Sequence, residues 1–242
     1  MGILRSAARP TPRPTISREV VVTARERITA HMLRLTLGGD DLAPAVHDSP
    51  GSWIKLFVPR AGEVGEHGRA YTVRGFDPVR DEVIIDVFVH EGGTMPRWAI
   101  GARIGEPARI GGPRSGGAPD ETAASLLLLA DETALPAVAA ILARERGGRP
   151  VRAFIEIGDP RDRQELEAPT SADIAWLDRG THAPGTPLAA AAARLELGPD
   201  AGVWFAAEAH AAQVMRRMLR TQAVAQAHVQ GYWRRGVGDY RE

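Results

Sequence analysis

The spacing of the apolar residues changes near Pro119, and this change limits the folds that the chain can adopt. Before it, short runs rich in β-branched and aromatic residues alternate with turn segments such as GGDD, DSPG and DPVRDE. In chain order the runs are REVVVTARE, HMLRLTL, SWIKLFVP, RAYTVRGF and EVIIDVFVH. Strands of this length and spacing are typical of a small antiparallel barrel. One short helix is predicted in this half at residues 96–100, because Pro96 suits a first helical turn.

The second half of the chain alternates strands with helices. SLLLLA is a continuous apolar run, as expected of a strand buried on both faces. VRAFIEI, VWFAA and HVQGYW predict further strands. DETALPAVAAILARERGG, PLAAAAARLEL and EAHAAQVMRRMLRTQ predict helices between them. This alternation indicates βαβ units and a parallel sheet.

The two patterns together predict a β-barrel followed by an α/β domain. Residues 1–16 are expected to form a flexible N-terminal arm, residues 17–119 the antiparallel barrel, and residues 120–242 the parallel-sheet domain. The arm contains arginines and prolines but no hydrophobic core, so it is not predicted to be a secretory signal.

Composition excludes several classes of protein. The 30 basic and 30 acidic side chains give no net charge, whereas a general nucleic-acid binder shows a basic excess. The absence of cysteine excludes disulfides and thiolate metal sites, and it fits a reducing cytoplasm. The seven histidines form no evident metal-ligand cluster, and no apolar run is long enough to cross a membrane. We therefore expect a cytoplasmic monomer, in which Lys55 is the only lysine.

The segment GRAYTVRGFDP, residues 68–78, contains the first candidate site. In a strand, Arg69 and Tyr71 lie on the same face. An arginine can bind a phosphate through two parallel hydrogen bonds, and a tyrosine can pack on a flat ring system. The segment therefore favours a site for a planar anionic ligand. An ordinary amphipathic strand with solvated charges is the alternative.

Three other turns follow predicted strands. Gly92 and Gly93 precede a helix start, where backbone amides can bind a phosphate. ADETALPA lies where the first βα turn of a dinucleotide domain is expected, although a G-x-G-x-x-G motif is absent. A helix cap at Asp131 or Thr133 is the alternative interpretation of this turn. GYWRRG either seals an edge of the sheet or meets an anionic ligand.

In this order and spacing, the motifs resemble the siderophore-interacting protein family, the FAD-dependent ferric-siderophore reductases of bacteria. The resemblance runs from about Ser17 to Gly236. It is carried by RAYTVRGFDP, IDVFVHEGG followed by RWA, GGPRSG, ADETALPA, FIEI, WLDRG, WFAAEA and GYWRRG. It implies a ferredoxin-reductase-like fold, in which the N-terminal barrel binds FAD and the C-terminal domain is NAD(P)-binding-like.

The resemblance also implies the site residues. The cofactor-binding residues are Arg69, Ala70, Tyr71, Thr72, Val73, Asp86, Val87, His90, Gly92, Gly93, Thr94, Asp131, Thr133 and Ala134. The substrate-binding residues are Lys55, Arg234 and Arg235, and the electron-donor site comprises Glu208, Tyr232 and Trp233. Tyr71 is expected against the isoalloxazine and Arg69 near the phosphates. No catalytic side chain and no metal ligand is assigned, since the redox chemistry belongs to the cofactor.

The implied reaction is reduction of a ferric siderophore to release Fe(II), with electrons from NADPH, NADH or ferredoxin passing through FAD. One alternative is a flavin reductase for another acceptor, such as a quinone, free flavin or a protein partner. Another is a siderophore-binding protein without turnover. Two positions depart from the family pattern: Met95 and Pro96 replace small residues at the helix start, and Ala207 replaces a glycine, where its methyl group is expected to crowd a nicotinamide.

Overall fold

The computed structural model describes residues 15–46, 49–60, 62, 64–146, 148–224, 226–237 and 240. Most of the predicted N-terminal arm, residues 1–14, therefore lies outside the described residues. Ile16, the last residue of that predicted arm, already pairs with Gly112 in a sheet. No helix within the described residues is both long and apolar enough to span a lipid bilayer.

The first seven strands form one antiparallel sheet that curls into a half-barrel. The strands are β1 (Ile16–Arg27), β2 (Met32–Gly38), β3 (Trp53–Pro59), β4 (Glu66–Thr72), β5 (Gly75–Asp77), β6 (Glu82–Phe88) and β7 (Pro107–Arg114). Their order in the sheet is β4-β3-β7-β1-β2-β6-β5. Alternate side chains of these strands fill the interior, and α1 (Thr94–Gly101) packs against β2, β4 and β6.

The last five strands form a parallel sheet. They are β8 (Ser125–Asp131), β9 (Val151–Ile157), β10 (Ala172–Asp178), β11 (Ala201–Glu208) and β12 (Gln226–Trp233), in the order β10-β9-β8-β11-β12. The helices are α2 (Leu135–Arg144), α3 (Thr186–Ala192) and α4 (Ala209–Leu219). The predicted fold class, an antiparallel half followed by a parallel α/β half, is confirmed.

Both faces of the parallel sheet are covered, which explains the continuous apolar run SLLLLA. Leu128 packs with α2 and with Met32 and Phe88 of the antiparallel sheet. Leu127 and Leu129 point to the other face and pack among residues of α3 and α4. The antiparallel sheet therefore takes part in covering the parallel one, and the two halves share a core.

Two strands of the structure have no predicted counterpart, and two others fall within a single predicted run. The segment PARIGGPR, which forms β7, contains two prolines and two glycines and so has little strand propensity of its own. It is extended because it pairs with both β1 and β3. The short strand β10 was also not predicted. The run RAYTVRGF is broken at Val73 and Arg74, which separate β4 from β5.

Asp162 connects the two halves of the molecule through hydrogen bonds. It lies in a short 3-10 turn after β9 and is almost completely buried. The Thr29 hydroxyl and the His31 backbone N–H donate to Oδ1 at 2.8 Å each, and His31 Nδ1 lies 2.9 Å from Oδ2. Both residues belong to the turn between β1 and β2, so one carboxylate holds that turn against the parallel sheet.

We expect Asp162→Ala to lower the free energy of unfolding by about 1–3 kcal/mol, because it leaves the Thr29 and His31 donors without their acceptor. Urea unfolding followed by far-UV circular dichroism measures the change. Asp173→Ala is the control, since the pair of Arg152 and Asp173 is exposed and should contribute less than about 1 kcal/mol. Equal losses in the two variants would show that Asp162 is no more than a surface charge.

Candidate functional site

Strand β4 carries the first part of the candidate site. Arg69 pairs across the sheet with Leu56, and Tyr71 pairs with Ile54. Cross-strand partners share a face, so Arg69 and Tyr71 lie on the same, inward face, as the alternation predicted. Tyr71 packs against the barrel core, and burial raises the pKa of its hydroxyl, opposed by the nearby positive charge of Arg69. A ring and a guanidinium thus lie together at the end of a strand.

The start of α1 offers backbone amides to an anion. Its N-cap is Gly93, at φ 82°, and no side chain caps the helix. A Cβ on Gly92 would meet nothing within 4 Å, so the approach to these amides is open. Thr94 is the first helical residue, and the departures Met95 and Pro96 are buried beneath the turn. An uncapped helix start with an open glycine approach fits a phosphate group.

The predicted contacts on β6 have other partners in the structure. Asp86 is buried, and its two oxygens accept hydrogen bonds from Arg34 at 2.7 and 2.9 Å. Val87 lies in the barrel core. His90 is exposed, with Nδ1 3.0 Å from the carbonyl of Glu91. The structure brings His90 close to the glycine turn, whereas the carboxylate of Asp86 is engaged in an ion pair. Their predicted contact with a cofactor stays a prediction.

The remaining predicted residues of this segment lie on β4 and directly after it. Ala70 is exposed opposite Lys55, and Thr72 is buried opposite Trp53, so both lie on the outer face. Val73 is in the core, and its N–H donates to the carbonyl of Ser52 at 2.9 Å.

The carboxyl edge of the parallel sheet forms the second part of the site. The strand order reverses between β8 and β11, and open α/β sheets bind ligands beside such a reversal. Asp131 ends β8 and Glu208 ends β11, and both are buried. The Trp233 indole N–H donates to Asp131 Oδ2 at 2.7 Å, and the Arg235 backbone N–H donates to Glu208 Oε1 at 3.3 Å. Two carboxylates at the reversal therefore bind the last residue of β12 and the segment that follows it.

Asp131 is buried, and the groups around it shift the pKa of its carboxyl in both directions. Burial raises its pKa to about 7, and the neighbouring carboxylate of Glu132 adds to the rise. The backbone and hydroxyl of Thr133 donate to Oδ1 at 3.0 and 2.6 Å, which works in the opposite direction, as do Trp233 and Arg179. Asp131 and Thr133 thus bind each other and do not cap α2, whose N-cap is the buried Ala134 without a side-chain cap.

A buried ion-pair network lies beside Asp131. Arg179 donates to Glu132 at 2.8 and 2.5 Å and to Glu156 at 2.6 Å. Burial alone would lower the pKa of Arg179, but the hydrogen bonds and charges of the two glutamates raise it above its ordinary value. Glu156 also accepts the N–H of Gly185 at the start of α3. This network joins the loops that follow β8 and β10 to the end of β9, which lies between those two strands.

Tyr232 connects the two parts of the site. Its hydroxyl and that of Thr72 are hydrogen-bonded to each other, and its ring packs edge-on against Trp204 with centroids 6.4 Å apart. Burial raises the pKa of Tyr232. Thr72 belongs to the R-x-Y-T segment of β4, so the end of β12 touches the strand that carries Arg69 and Tyr71.

Cations and aromatic rings cover the outer face of β3 and β7. Lys55 Nζ lies 5.3 Å from the centroid of the Phe57 ring, and Arg109 Cζ lies 4.0 Å from it. Arg114 Cζ lies 5.2 Å from the centroid of the Trp53 ring. We call these five residues the cationic face. Sequence reasoning identified only Lys55 as a site residue. Arg109 and Arg114 join this face through the pairing of β3 with the unpredicted strand β7.

The two arginines of GYWRRG are exposed beyond β12. Arg234 forms an isolated bridge with Val237, and the backbone of Arg235 is held by Glu208. The departure at Ala207 does not crowd this edge. Ala207 is fully buried in the cluster that contains Leu188 and Ala212, on the α3 and α4 side of the sheet.

Two family models match the chain, and between them they cover both sheets. A siderophore-interacting FAD-binding domain matches residues 21–67 and 61–117. A siderophore-interacting protein model matches residues 123–236.

Relatives and solved structures agree with these matches. The ferric vibriobactin reductase of Vibrio cholerae is 30% identical, over 89% of this chain and 88% of that protein. A siderophore utilization protein from T. fusca has a crystal structure with TM-score 0.84 and 35% identity, covering 95% of this chain and 97% of that one. A ferredoxin reductase of carbazole 1,9a-dioxygenase shares the fold at TM-score 0.72 and 19% identity, covering 92% and 70%, which confirms the predicted ferredoxin-reductase-like layout. The protein therefore belongs to the siderophore-interacting protein family.

Proposed function

We propose that this chain is a cytoplasmic FAD-dependent reductase that releases iron from ferric siderophores, with NADPH or NADH as the electron donor and ferredoxin as the alternative donor. The hydrogen bond between Thr72 and Tyr232 carries the proposal. It joins the R-x-Y-T strand to the carboxyl edge of the parallel sheet. Thr72 directly follows Tyr71 at the end of β4, so a flavin held at this strand end would lie close to a donor at that edge.

The residues around β4 and α1 fit FAD. The inward pair of Arg69 and Tyr71 suits a phosphate next to a flat ring. The uncapped amides after Gly93 suit a second phosphate, and the glycine at 92 leaves the approach clear. FAD, when bound, supplies the conversion between two-electron and one-electron transfer. The protein's own contribution is to hold the cofactor and to fix Thr72 through Tyr232.

The cationic face suits a ferric siderophore. Trp53 pairs across the sheet with Thr72, and Lys55 follows two residues later on the same face, so the cationic face begins where the two sheets touch. Exposed cations raise the local concentration of an anionic chelate, and the rings beside them offer flat surfaces. Fe(III) prefers hard oxygen ligands more strongly than Fe(II) does, so reduction weakens the complex without a protein ligand to the metal. We place the substrate on Lys55 and Arg114, together with Arg234 or Arg235, because the charge of Arg109 is already paired with the carboxylate of Glu66.

An absorbance spectrum and an anaerobic turnover assay test the proposal. Purified protein, supplemented with FAD, should show flavin bands that bleach when NADPH or NADH is added. A ferric catecholate should then restore the bands, and a ferrous chelator should trap Fe(II). Because a hydride carries two electrons and each Fe(III) takes one, we expect two Fe(II) for each nicotinamide oxidised.

The other outcomes separate the alternatives. Bands that bleach only with reduced ferredoxin would assign the donor to that protein. Bleaching that a quinone reverses and a ferric catecholate does not would favour a reductase for another acceptor. A protein that takes up no flavin would contradict the proposal. Siderophore binding without turnover would then be the remaining hypothesis.

A further inference from the structure

We infer that Trp233, held by Asp131, closes the nicotinamide-binding crevice of this protein and must swing away before a dinucleotide donor can bind. The inference rests on the proposed function, in that the donor is expected at the carboxyl edge of the parallel sheet. It adds a pair of residues that determine which donors reach the flavin.

The strand order forces the indole across the crevice. Asp131 ends β8 and Trp233 ends β12, and β11 lies between them. Strands in a sheet are about 4.8 Å apart, so the two strand ends are separated by roughly twice that distance. A hydrogen bond of 2.7 Å between these side chains requires the indole to lie over the end of β11. That end is beside the reversal of strand order, where an open α/β sheet binds its ligand.

The arrangement allows Trp233 to move without disturbing β12. Tyr232 is partly buried and is anchored by Trp204 and Thr72, so the strand stays fixed up to that residue. Trp233 is only partly buried, and its indole N–H has a single acceptor, Asp131. Residues 234–237, which follow Trp233, are exposed. Their backbone is held by the hydrogen bond from Arg235 to Glu208 and by the bridge between Arg234 and Val237. Rotation of one side chain would therefore open the crevice.

The charge of Asp131 controls how firmly the indole is held. Glu132, Arg179, Tyr232 and the donors of Thr133 surround its carboxylate. Above a pH of about 7 the carboxylate is ionised and accepts a charge-assisted hydrogen bond from the indole. Below that pH it is protonated and becomes a weaker acceptor. A dinucleotide pyrophosphate is also anionic, so its approach favours the protonated form. Both effects make dinucleotide binding tighter as the pH falls.

Calorimetric titration of the FAD-loaded protein with NAD+ tests the inference, since NAD+ binds without turnover and does not titrate between pH 6 and 8. We expect Trp233→Phe and Asp131→Asn each to lower the dissociation constant at pH 8 by about 10-fold or more, because a hydrogen bond to a charged group no longer competes with the ligand. The wild-type protein should bind NAD+ more tightly at pH 6 than at pH 8, and Asp131→Asn should not show this difference. Trp176→Phe, on β10 at the far edge of the sheet, is the matched control and should leave the affinity unchanged.

A second measurement needs neither flavin nor ligand. In the NMR spectrum of the protein without FAD, the indole N–H resonance that disappears in Trp233→Phe should titrate with a midpoint near pH 7. It should lose this titration in Asp131→Asn. A wild-type indole resonance without this midpoint would show that the charge of Asp131 does not control the indole, and the predicted pH dependence of NAD+ binding would be overturned with it.

Three results of the NAD+ titration distinguish whether Trp233 closes the crevice. Tighter binding in both variants supports the inference. Equal NAD+ affinity in the wild-type protein and both variants overturns it and leaves the nicotinamide donor of the proposed function intact. If neither NAD+ nor NADP+ binds to any variant although the indole is released, the inference and the nicotinamide donor are both overturned. The reduction of a ferric catecholate by dithionite-reduced protein would still test the rest of the proposed function.

Discussion

Arg179→Ala is expected to lower the free energy of unfolding by about 3–5 kcal/mol. The substitution leaves Glu132 and Glu156 buried without their cation, and their side chains are only 5% and 0% exposed. Burial of an uncompensated carboxylate costs far more than an ion pair contributes at the surface. Urea unfolding at pH 7 measures the loss. This network lies beneath the candidate donor site, so its loss should also change the site itself.

Arg152→Ala is the matched control for that experiment. Arg152 and Asp173 form a pair at 3.3 Å with side chains 53% and 71% exposed, so its removal should cost less than about 1 kcal/mol. Arg179 also lowers the pKa of Asp131, and its removal should move the midpoint of the Trp233 indole titration to higher pH. Similar losses of stability in the two arginine variants would show that burial of the network contributes nothing.

Most elements and their order could be predicted, because their local patterns agree with the observed structure. SLLLLA is buried on both faces, and Arg69 and Tyr71 share a face, as period-two alternation requires. The strand β7 could not be predicted, since PARIGGPR has no strand pattern and is held extended by its neighbours β1 and β3. Tertiary pairing overrides weak local propensity in such a segment.

The contacts of the candidate site were less predictable than the elements that carry them. Asp131 and Trp233 are 102 positions apart, and they meet only because β8, β11 and β12 lie in that order. No periodicity in the chain reveals the order of parallel strands. Similarly, Arg109 and Arg114 join Lys55 through the pairing of β3 with the unpredicted strand β7. The motifs indicated which residues matter, and the sheet topology decided which of them touch.

Lys55→Glu is expected to lower kcat/KM for an anionic ferric catecholate roughly tenfold or more at low ionic strength. The substitution places a negative charge beside Phe57 on the cationic face, where Arg109 already lies against the same ring. The change should appear mainly in KM, because Lys55 attracts the chelate and is not expected to take part in electron transfer. Steady-state assays with trapped Fe(II), repeated at increasing salt, measure it.

The salt series and the choice of acceptor make that prediction specific. Exposed charges are screened over about 10 Å at 0.1 M salt, so the difference between the wild-type protein and Lys55→Glu should shrink as salt is added. A neutral quinone acceptor should be reduced equally well by both proteins. Arg80→Glu reverses a charge in an exposed turn of the same sheet and should leave both activities unchanged. If Lys55→Glu impaired quinone and ferric catecholate reduction alike, Lys55 would act on the flavin or on the fold. The cationic face would then lose its assignment as the substrate site, because attraction of an anion cannot affect a neutral acceptor.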